Sequence, residues 1–218
     1  MWLAVFYLNP LPRRILFGRT EGVLREPLSD LEYKRKGNRK VELNTESVVN
    51  ILRNEYDAWI AMLSEKEKFA IEKYSWNSFD KSNGRISFFQ RLNSMLRGIN
   101  TEEKEMLEEY ADIISNAVSK HPIEHAVVCY RGSDYDMTDG SPVGGSFLST
   151  QFISTSVIRS KKLPGQYEFV IHIPEGANVA YIEKLSKYKK QRELLINRNT
   201  VFTVISRNGF LVELEVLL

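Results

Sequence analysis

Apolar residues recur at helical spacing in the first half of the chain, beyond residue 44. Between residues 46 and 63 they fall every three or four positions, which predicts an amphipathic helix. These residues are Val48, Ile51, Leu52, Tyr56, Trp59, Ile60 and Leu63. The next four residues, Ser64–Glu67, have the Ser-x-x-Glu form of a capping box and predict a second helix through Tyr74.

Two further helices are predicted before residue 120. One covers residues 86–97 and ends in Arg97-Gly98, a pair that is typical of a helix C-terminus. The other begins at Thr101 and carries its apolar residues, up to Val118, along one side. The stretch 76–84, with its Asn, Ser and Gly residues, separates the second helix from the third.

Short apolar runs replace the helical pattern in the second half of the chain. Each is bounded by turn residues and predicts a strand. The predicted strands are 126–130, 151–157, 167–173, 179–182, 193–196, 200–206 and 210–218. Asn208-Gly209 lies between the last two and predicts a hairpin turn. Helices followed by strands predict an α+β fold.

The first 44 residues differ from the rest of the chain. They open with the apolar run MWLAVFYL, which ends at Asn9-Pro10 and is too short to span a membrane. No basic region precedes this run and no small-residue cleavage site follows it, so there is no clear signal peptide. We expect an N-terminal strand or docked arm, and we divide the chain into an N-terminal extension, 1–44, and a main domain, 45–218.

Composition narrows the class of protein only a little. The chain is 43% hydrophobic and 27% charged, and its net charge of +2 gives no global case for binding nucleic acid or membrane. The single cysteine, Cys129, excludes an intramolecular disulfide. The histidines His121, His125 and His172 lack Cys or carboxylate neighbours at ligand spacing, apart from Glu124, so no metal site is predicted.

Arg131 stands where a predicted buried strand meets a loop. The planar fork of an arginine suits a phosphate or a carboxylate, which it binds through two parallel hydrogen bonds. The alternative is an arginine that pairs with an acidic residue at the strand end. The sequence of this segment alone leaves both interpretations open.

Two hydroxyls in the segment Phe152–Ser156 fall on one face of a strand. Alternation places Ser154 and Ser156 together, with Thr155 on the opposite face. The two serines could orient neighbouring polar side chains, or they could face water.

Gln191 and Glu193 lie where a charged turn runs into an apolar strand. If the chain is extended there, both side chains point to one face. A glutamate beside a bound sugar can stabilise developing positive charge. A glutamine presents both a donor and an acceptor to a target group. The alternative is a charged strand edge that discourages pairing with other chains.

Taken in order, these segments resemble the mono-ADP-ribosyltransferase toxins of the Arg / Ser-Thr-Ser / Gln-x-Glu class. They are similar to the clostridial Rho-modifying exoenzymes and to the catalytic chains of actin-modifying binary toxins. The resemblance covers residues 46–215, and the segments that carry it are Leu92–Arg97, Tyr130–Gly132, Phe152–Ser156, Ala180–Ile182 and Tyr188–Leu195. One departure is Lys189-Lys190, where the family usually has small residues.

The resemblance implies a fold and a site. The fold is α+β, with N-terminal helices packed on two mainly antiparallel β-sheets that enclose an NAD cleft. The catalytic residues would be Glu193, Gln191, Ser154 and Arg131, with Ser154 holding the Glu193 carboxylate. NAD would be bound by Arg97, Arg131, Gly132, Asn93, Thr155, Ser156 and Arg159. Tyr188 and Gln191 would recognise the acceptor.

The resemblance also implies an activity and its partners. We expect transfer of ADP-ribose from NAD to a protein side chain, an Asn or Gln amide, with release of nicotinamide. Alternatives are a guanine-directed transferase acting on nucleic acid and a non-catalytic NAD-binding interaction module. The expected partners are a target protein and a delivery or adaptor component, with the chain itself a monomer. It would be secreted or delivered into a host cell and act in the host cytoplasm.

Overall fold

The computed structural model describes residues 45–76, 86–99 and 101–218, with only the backbone described at Thr45 and Glu46. The predicted N-terminal extension and its expected strand or arm lie outside the described residues. So does most of the predicted break between the second and third helices.

Four helices form the first half of the described chain, as the apolar spacing predicts. They are α1 (Thr45–Met62), α2 (Glu65–Ser75), α3 (Phe88–Leu96) and α4 (Lys104–Ser119). The predicted capping box is confirmed, because the Ser64 hydroxyl accepts from the Glu67 amide while the Glu67 carboxylate accepts from the Ser64 amide at 2.8 Å. Helix α4 begins later than predicted because Glu103 has a left-handed backbone, with φ 55°.

Eight strands follow, and two short 3₁₀ turns interrupt them at Arg159–Lys161 and Lys189–Gln191. The strands are β1 (Val127–Ser133), β2 (Ser146–Ser149), β3 (Ile153–Ser156), β4 (Tyr167–Ile173), β5 (Val179–Tyr181), β6 (Glu193–Ile196), β7 (Thr200–Asn208) and β8 (Leu211–Leu217). The predicted hairpin at Asn208-Gly209 is confirmed, since β7 and β8 pair antiparallel around it.

Two features of the strands were not predicted. Strand β2 was missed because it is only four residues long and its two apolar residues, Phe147 and Leu148, are adjacent and so point to opposite faces. Strand β1 continues through Ser133, so Arg131 lies inside the strand and not at its end.

The strands form a mixed sheet in the order β2-β7-β8-β4-β1-β3-β6-β5. The α+β class is confirmed. The arrangement differs from the expected two separate sheets, because one antiparallel pairing, Tyr130 opposite Ser156, links β1 to β3. A five-stranded part (β2, β7, β8, β4, β1) and a three-stranded part (β3, β6, β5) therefore share one continuous sheet, in which β4 and β8 pair parallel.

Two buried aromatic side chains connect α1 to the three-stranded part and to α4. The Tyr56 hydroxyl in α1 donates to the Val179 carbonyl in β5 at 2.8 Å. The Trp59 indole donates to the Ala117 carbonyl in α4 at 2.8 Å. Both side chains are almost fully buried. No helix within the described ranges has the length and apolar character to cross a bilayer.

Candidate active site

A pocket opens where the five-stranded and three-stranded parts of the sheet meet. It holds about 290 Å³ of space, part of which is open to solvent. Its lining comes from β1, β3, the loop after β3 and the start of β6: Tyr130, Arg131, Gly132, Ser154, Thr155, Ser156, Lys161, Lys162, Leu163, Gln191 and Glu193. The fold thus brings seven of the predicted site residues to one hollow.

Glu193 begins β6 and is only 5% exposed. Burial raises the pKa of its carboxyl to about 7, while hydrogen bonds from Ser154 and Ser186 and the charge of Arg131 act in the opposite direction. The Ser186 hydroxyl donates to Oε2 at 3.4 Å. Within the described part of the chain, no Lys or Arg lies within ion-pair distance of this carboxylate. Such a perturbed acid in a pocket is typical of a functional site.

Ser154 connects Glu193 to the helical layer. Its hydroxyl interacts with Glu193 and with the phenol of Tyr74, whose pKa burial raises to about 12. The Asn93 side-chain amide in turn donates to the Tyr74 hydroxyl at 3.0 Å. Tyr74 was missed from the sequence because it falls at helical core spacing. Asn93, a predicted cofactor residue, lies behind the pocket wall in this chain of contacts.

Arg131 has unused hydrogen-bonding capacity inside the protein. One Nη donates to the Ser154 carbonyl at 2.7 Å, but its buried Nε has no acceptor among the described residues. No carboxylate of the described ranges lies within ion-pair distance of its guanidinium. A partly buried cation with a free donor is suited to an anionic ligand.

Arg97 follows α3 and lies outside the pocket lining. Its guanidinium donates to the Gln151 side-chain oxygen at 2.7 Å and to the Tyr135 hydroxyl at 3.3 Å. Tyr135 also interacts with Arg131, so one phenol lies between the two predicted phosphate-binding arginines. Burial raises the pKa of Tyr135, but Arg131, Gln151 and Arg97 outweigh this effect and leave it below its usual value.

Tyr135 and Gln151 were not predicted from the sequence. Neither occupies a motif position, and Tyr135 lies in a loop that follows β1. Among the arginines in the described ranges, Arg97 and Arg131 are also the two without a carboxylate partner in those same ranges. That shared property is visible only in the fold.

Gln191 lines the pocket, but its backbone conformation differs from the one that the sequence suggested. The premise of an extended chain is wrong here, because Lys189–Gln191 form a 3₁₀ turn and Arg192 is left-handed, with φ 52°. Gln191 and Glu193 nevertheless both line the pocket. Strand β3 anchors the turn: the Ser156 hydroxyl donates to the Gln191 carbonyl at 2.6 Å.

Thr155, although it lines the pocket, makes a structural contact, and two other predicted residues, Arg159 and Tyr188, lie outside the pocket lining. The Thr155 hydroxyl donates to the Leu194 carbonyl at 2.7 Å and joins β3 to β6. The structure does not bring Arg159 to the pocket; it pairs with Glu168 at 2.5 Å, and Lys161 and Lys162 line the pocket in its place. Tyr188 is 38% exposed and directly precedes the turn that carries Gln191.

Gly132 allows the loop after β3 to lie directly on β1. A Cβ atom at this position would stand 2.0 Å from the Leu163 carbonyl oxygen. The floor of the pocket and its covering loop are therefore in backbone contact.

A separate group of metal-type ligands lies away from the pocket lining. Glu55, Glu124 and His125 each place one ligand atom within 4.8 Å of the others. The sequence showed only Glu124 beside His125, because Glu55 comes from α1. The Glu55 carboxylate already contacts His121 at 3.3 Å and His125 at 3.2 Å.

The helical layer, the mixed sheet and a pocket with a buried carboxylate beside an arginine that has no acidic partner among the described residues define an ADP-ribosyltransferase-like protein. The sequence profile of the ADP-ribosyltransferase exoenzyme family matches residues 52–213. The chain belongs to this family, whose members are NAD-dependent transferases.

Comparison with individual proteins agrees with this assignment. The NAD(+)–arginine ADP-ribosyltransferase EFV of Enterococcus faecalis is 29% identical over 168 residues, which cover 70% of this chain and 31% of EFV. The chain thus spans about a third of that relative.

Two solved toxin structures share the fold. Plx2a of Paenibacillus larvae is 23% identical with a TM-score of 0.67, over 81% of this chain and 98% of Plx2a. BECa of Clostridium perfringens, solved with NADH, is 22% identical with a TM-score of 0.63, over 81% of this chain and 49% of BECa.

Proposed function

We propose that this chain transfers ADP-ribose from NAD to an Asn or Gln amide of a target protein and releases nicotinamide. The observation that carries the proposal is one pocket in which a buried Glu193, without an ion pair to any described residue, lies with Arg131 and Gln191. The family assignment supports the reaction class. The residue roles and the acceptor are our proposals.

The residues of the pocket fit NAD. The buried Nε of Arg131 lacks an acceptor, and neither Arg131 nor Arg97 has a carboxylate partner within the described ranges, so both guanidiniums can bind phosphate oxygens. Gly132 provides a backbone surface without a side chain. NAD supplies a ribose carbon and a nicotinamide group that leaves as a neutral pyridine, so the leaving group needs little acid catalysis.

Glu193 provides the charge that this bond cleavage requires. In its ionised form it stabilises the positive charge that develops on the ribose as nicotinamide departs. Ser154 and Ser186 fix the direction of the carboxylate through hydrogen bonds. Because the group is already in place before the reaction, little reorganisation is needed in the transition state.

Gln191 supports an amide acceptor. Its side chain can donate to and accept from another amide at the same time. The acceptor nitrogen forms the new bond to the ribose carbon and loses a proton to solvent. The exposed side chains of Tyr188, Lys189 and Lys190 precede Gln191 and would contact the target surface, with the two lysines favouring an acidic face.

An arginine acceptor is the second candidate, and the relative EFV favours it, because EFV is an arginine ADP-ribosyltransferase by name. The two candidates differ in what the group at position 191 must do. An amide acceptor needs a paired donor and acceptor, whereas an arginine acceptor is activated by a carboxylate.

The acceptor can be identified directly. The protein is incubated with a cell lysate and NAD carrying ³²P in its adenylate half, and the modified peptides are analysed by mass spectrometry. We expect label that resists nuclease but not protease, on Asn or Gln. Label on arginine would replace our acceptor assignment, and nuclease-sensitive label would indicate a nucleic-acid acceptor.

Variants at position 191 test the role of the glutamine. Gln191→Ala should reduce transfer far more than NAD hydrolysis, and Gln191→Glu should shift labelled peptides toward arginine. If Gln191→Ala transfers at the parental rate, the role assigned to this side chain is wrong. A protein without any NAD hydrolysis or transfer would indicate a non-catalytic module.

We also infer that the chain acts inside a host cell after delivery by a partner component. Several relatives are toxins by name, which supports this location. Expression of the chain in the cytoplasm of animal cells should be toxic, and the Glu193→Gln variant should not be. Purified chain added to the medium should have no effect. Toxicity from the medium alone would contradict the need for a delivery partner.

A further inference from the structure

A second buried carboxylate, Glu183, lies two residues after β5 and outside the pocket lining. The residue is 5% exposed. Its Oε1 accepts from Nη2 of Arg53 at 2.8 Å and from Nη1 of Arg192. Its Oε2 accepts from Nε of Arg53 at 2.8 Å and from the Tyr181 hydroxyl at 2.9 Å. Four donors fill the acceptor capacity of a carboxylate.

Arg192, one of these donors, is the residue between Gln191 and Glu193. Its backbone is left-handed, with φ 52° and ψ 51°, a conformation that is unfavourable for a residue with a Cβ atom. Because of this twist, Gln191 and Glu193 both reach the pocket while the side chain of Arg192 turns away to Glu183. An arginine–carboxylate hydrogen bond is directional and can hold such a conformation.

The backbone of Arg192 is held from the other side by β3. Its carbonyl accepts from the Val157 amide at 3.2 Å, and the Gln191 carbonyl accepts from the Ser156 hydroxyl. The ion pair to Glu183 is therefore the contact that connects this turn to α1, through Arg53.

We propose that Glu183 is a positioning residue for the transfer step, because it holds Arg192 left-handed and so fixes the place of Gln191 relative to Glu193. This inference rests on the proposed function. It extends that function to a residue that touches neither NAD nor the acceptor.

The two residues on either side of Arg192 depend on it unequally. Glu193 is held independently, by Ser154, by Ser186 and by the pairing of β6 with β3. The side-chain amide of Gln191 has no hydrogen bond to the described part of the chain. Loss of the Glu183 contact should therefore impair transfer to the acceptor more than cleavage of NAD.

Three variants separate the backbone role from a general loss of charge. Glu183→Gln removes the ion pair. Arg192→Ala removes the guanidinium and leaves a residue that disfavours the left-handed region. Arg192→Gly removes the same guanidinium, but glycine adopts that region readily. Glu55→Gln is the matched control, because the Glu55 side chain is only 2% exposed and its carboxylate also contacts basic side chains. These partners, His121 and His125, lie outside the pocket lining.

Two rates are measured for each variant. Hydrolysis is the release of nicotinamide from NAD without acceptor. Transfer is ³²P from adenylate-labelled NAD incorporated into protein of an animal-cell lysate. For Glu183→Gln and Arg192→Ala, the ratio of transfer to hydrolysis should fall about tenfold, since a small misplacement of a reacting group has effects of this size or larger. Arg192→Gly and Glu55→Gln should keep the parental ratio.

Other results would overturn the inference. An unchanged ratio in Glu183→Gln, or an Arg192→Gly ratio as low as that of Arg192→Ala, would show that the backbone conformation is not what matters. A parent that neither hydrolyses nor transfers would refute the proposed function itself, and this inference with it.

A structural measurement keeps the test independent of the acceptor and of marginal folding. Crystal structures of Arg192→Ala and Arg192→Gly give the φ of residue 192 directly. We expect a negative φ in the alanine variant and a positive φ in the glycine variant. A left-handed alanine at this position would contradict the need for the ion pair.

Discussion

Glu183 and Glu193 lie on either side of one turn and are equally buried, yet their surroundings are opposite. Glu183 accepts four hydrogen bonds, three of them from the guanidiniums of Arg53 and Arg192. Glu193 interacts with two serine hydroxyls and has no ion pair within the described residues, and its pKa rises to about 7. The two glutamates thus differ in their partners: the Glu183 carboxylate has all its hydrogen bonds filled and two cationic neighbours, whereas the Glu193 carboxylate has no ion pair among the described residues.

This difference shows how the protein divides two tasks between two carboxylates. A buried charge is unfavourable without a partner, so Glu193 destabilises the folded state at neutral pH. The same isolation leaves its charge available for positive charge on a substrate. Glu183 cannot serve in that way, because two cations already neutralise it. Glu183 instead binds Arg192 and so supports the turn that carries Gln191.

Replacement of Glu193 is the largest expected effect. Glu193→Gln should lower the rate of nicotinamide release by about 10³-fold, because the amide has a similar shape but no charge to stabilise the transition state. NAD affinity, measured by calorimetry, should change little since the phosphate contacts remain. A variant that releases nicotinamide at the parental rate would remove Glu193 from the mechanism.

Replacement of Glu183 should destabilise the folded protein. Glu183→Gln should lower the free energy of unfolding by about 4 kcal/mol, because it leaves the guanidiniums of Arg53 and Arg192 without their shared anion. Urea denaturation of parent and variant at pH 7 measures this difference. A loss below about 1 kcal/mol, the value of an exposed pair, would show that the burial of this cluster contributes little.

Replacement of Glu193 should raise the free energy of unfolding, whereas replacement of Glu183 should lower it. The folded-state pKa of about 7 lies above the unfolded value of 4.5, so the folded protein binds more protons between these pH values and loses stability as pH rises through them. The Glu193→Gln variant has no carboxyl group at this position, so it does not lose stability in this way. Its unfolding free energy should equal that of the parent below pH 4.5 and exceed it by up to about 3 kcal/mol above pH 7. Equal stabilities at pH 8 would argue against the raised pKa.

The smallest expected effect is the pH dependence of the parent enzyme. Because the ionised form of Glu193 is the active one, kcat/KM for NAD hydrolysis should rise about tenfold per pH unit below pH 7 and level off above it. The Glu183→Gln variant should keep this midpoint. A profile that is flat between pH 5.5 and 7 would show that the free enzyme already carries an ionised Glu193.

The sequence predicted the elements whose signals are local. Apolar spacing located the helices, the capping box at Ser64 marked the start of α2, and Asn208-Gly209 marked the hairpin. Strand β2 gave no such signal, because it has only two apolar residues, Phe147 and Leu148, between two serines. Motif order also selected Arg131, Ser154, Gln191 and Glu193, which the fold does bring to one pocket. Their catalytic roles stay predictions.

The unpredicted parts of the site depend on residues far apart in the chain. The carboxylate of Glu183 joins Arg53 to Arg192, and nothing in either local sequence indicates the other. The left-handed backbone of Arg192 was invisible because no glycine marks it. Tyr135 could not be selected, since its place between Arg97 and Arg131 arises only when the fold brings the end of α3 near the loop after β1.

The direct backbone contact beneath the pocket loop sets how this region tolerates mutation. Cβ atoms at Gly132 and Gly165 would stand 2.0 Å from the Leu163 oxygen and 2.3 Å from the Ser133 nitrogen, respectively. In a saturation library, neither position should accept even alanine, while the exposed Ser160 and Lys161 in the same loop should accept many residues. The exposed side chains of this loop can therefore change during evolution, but the loop cannot move away from β1 unless the backbone of both segments changes.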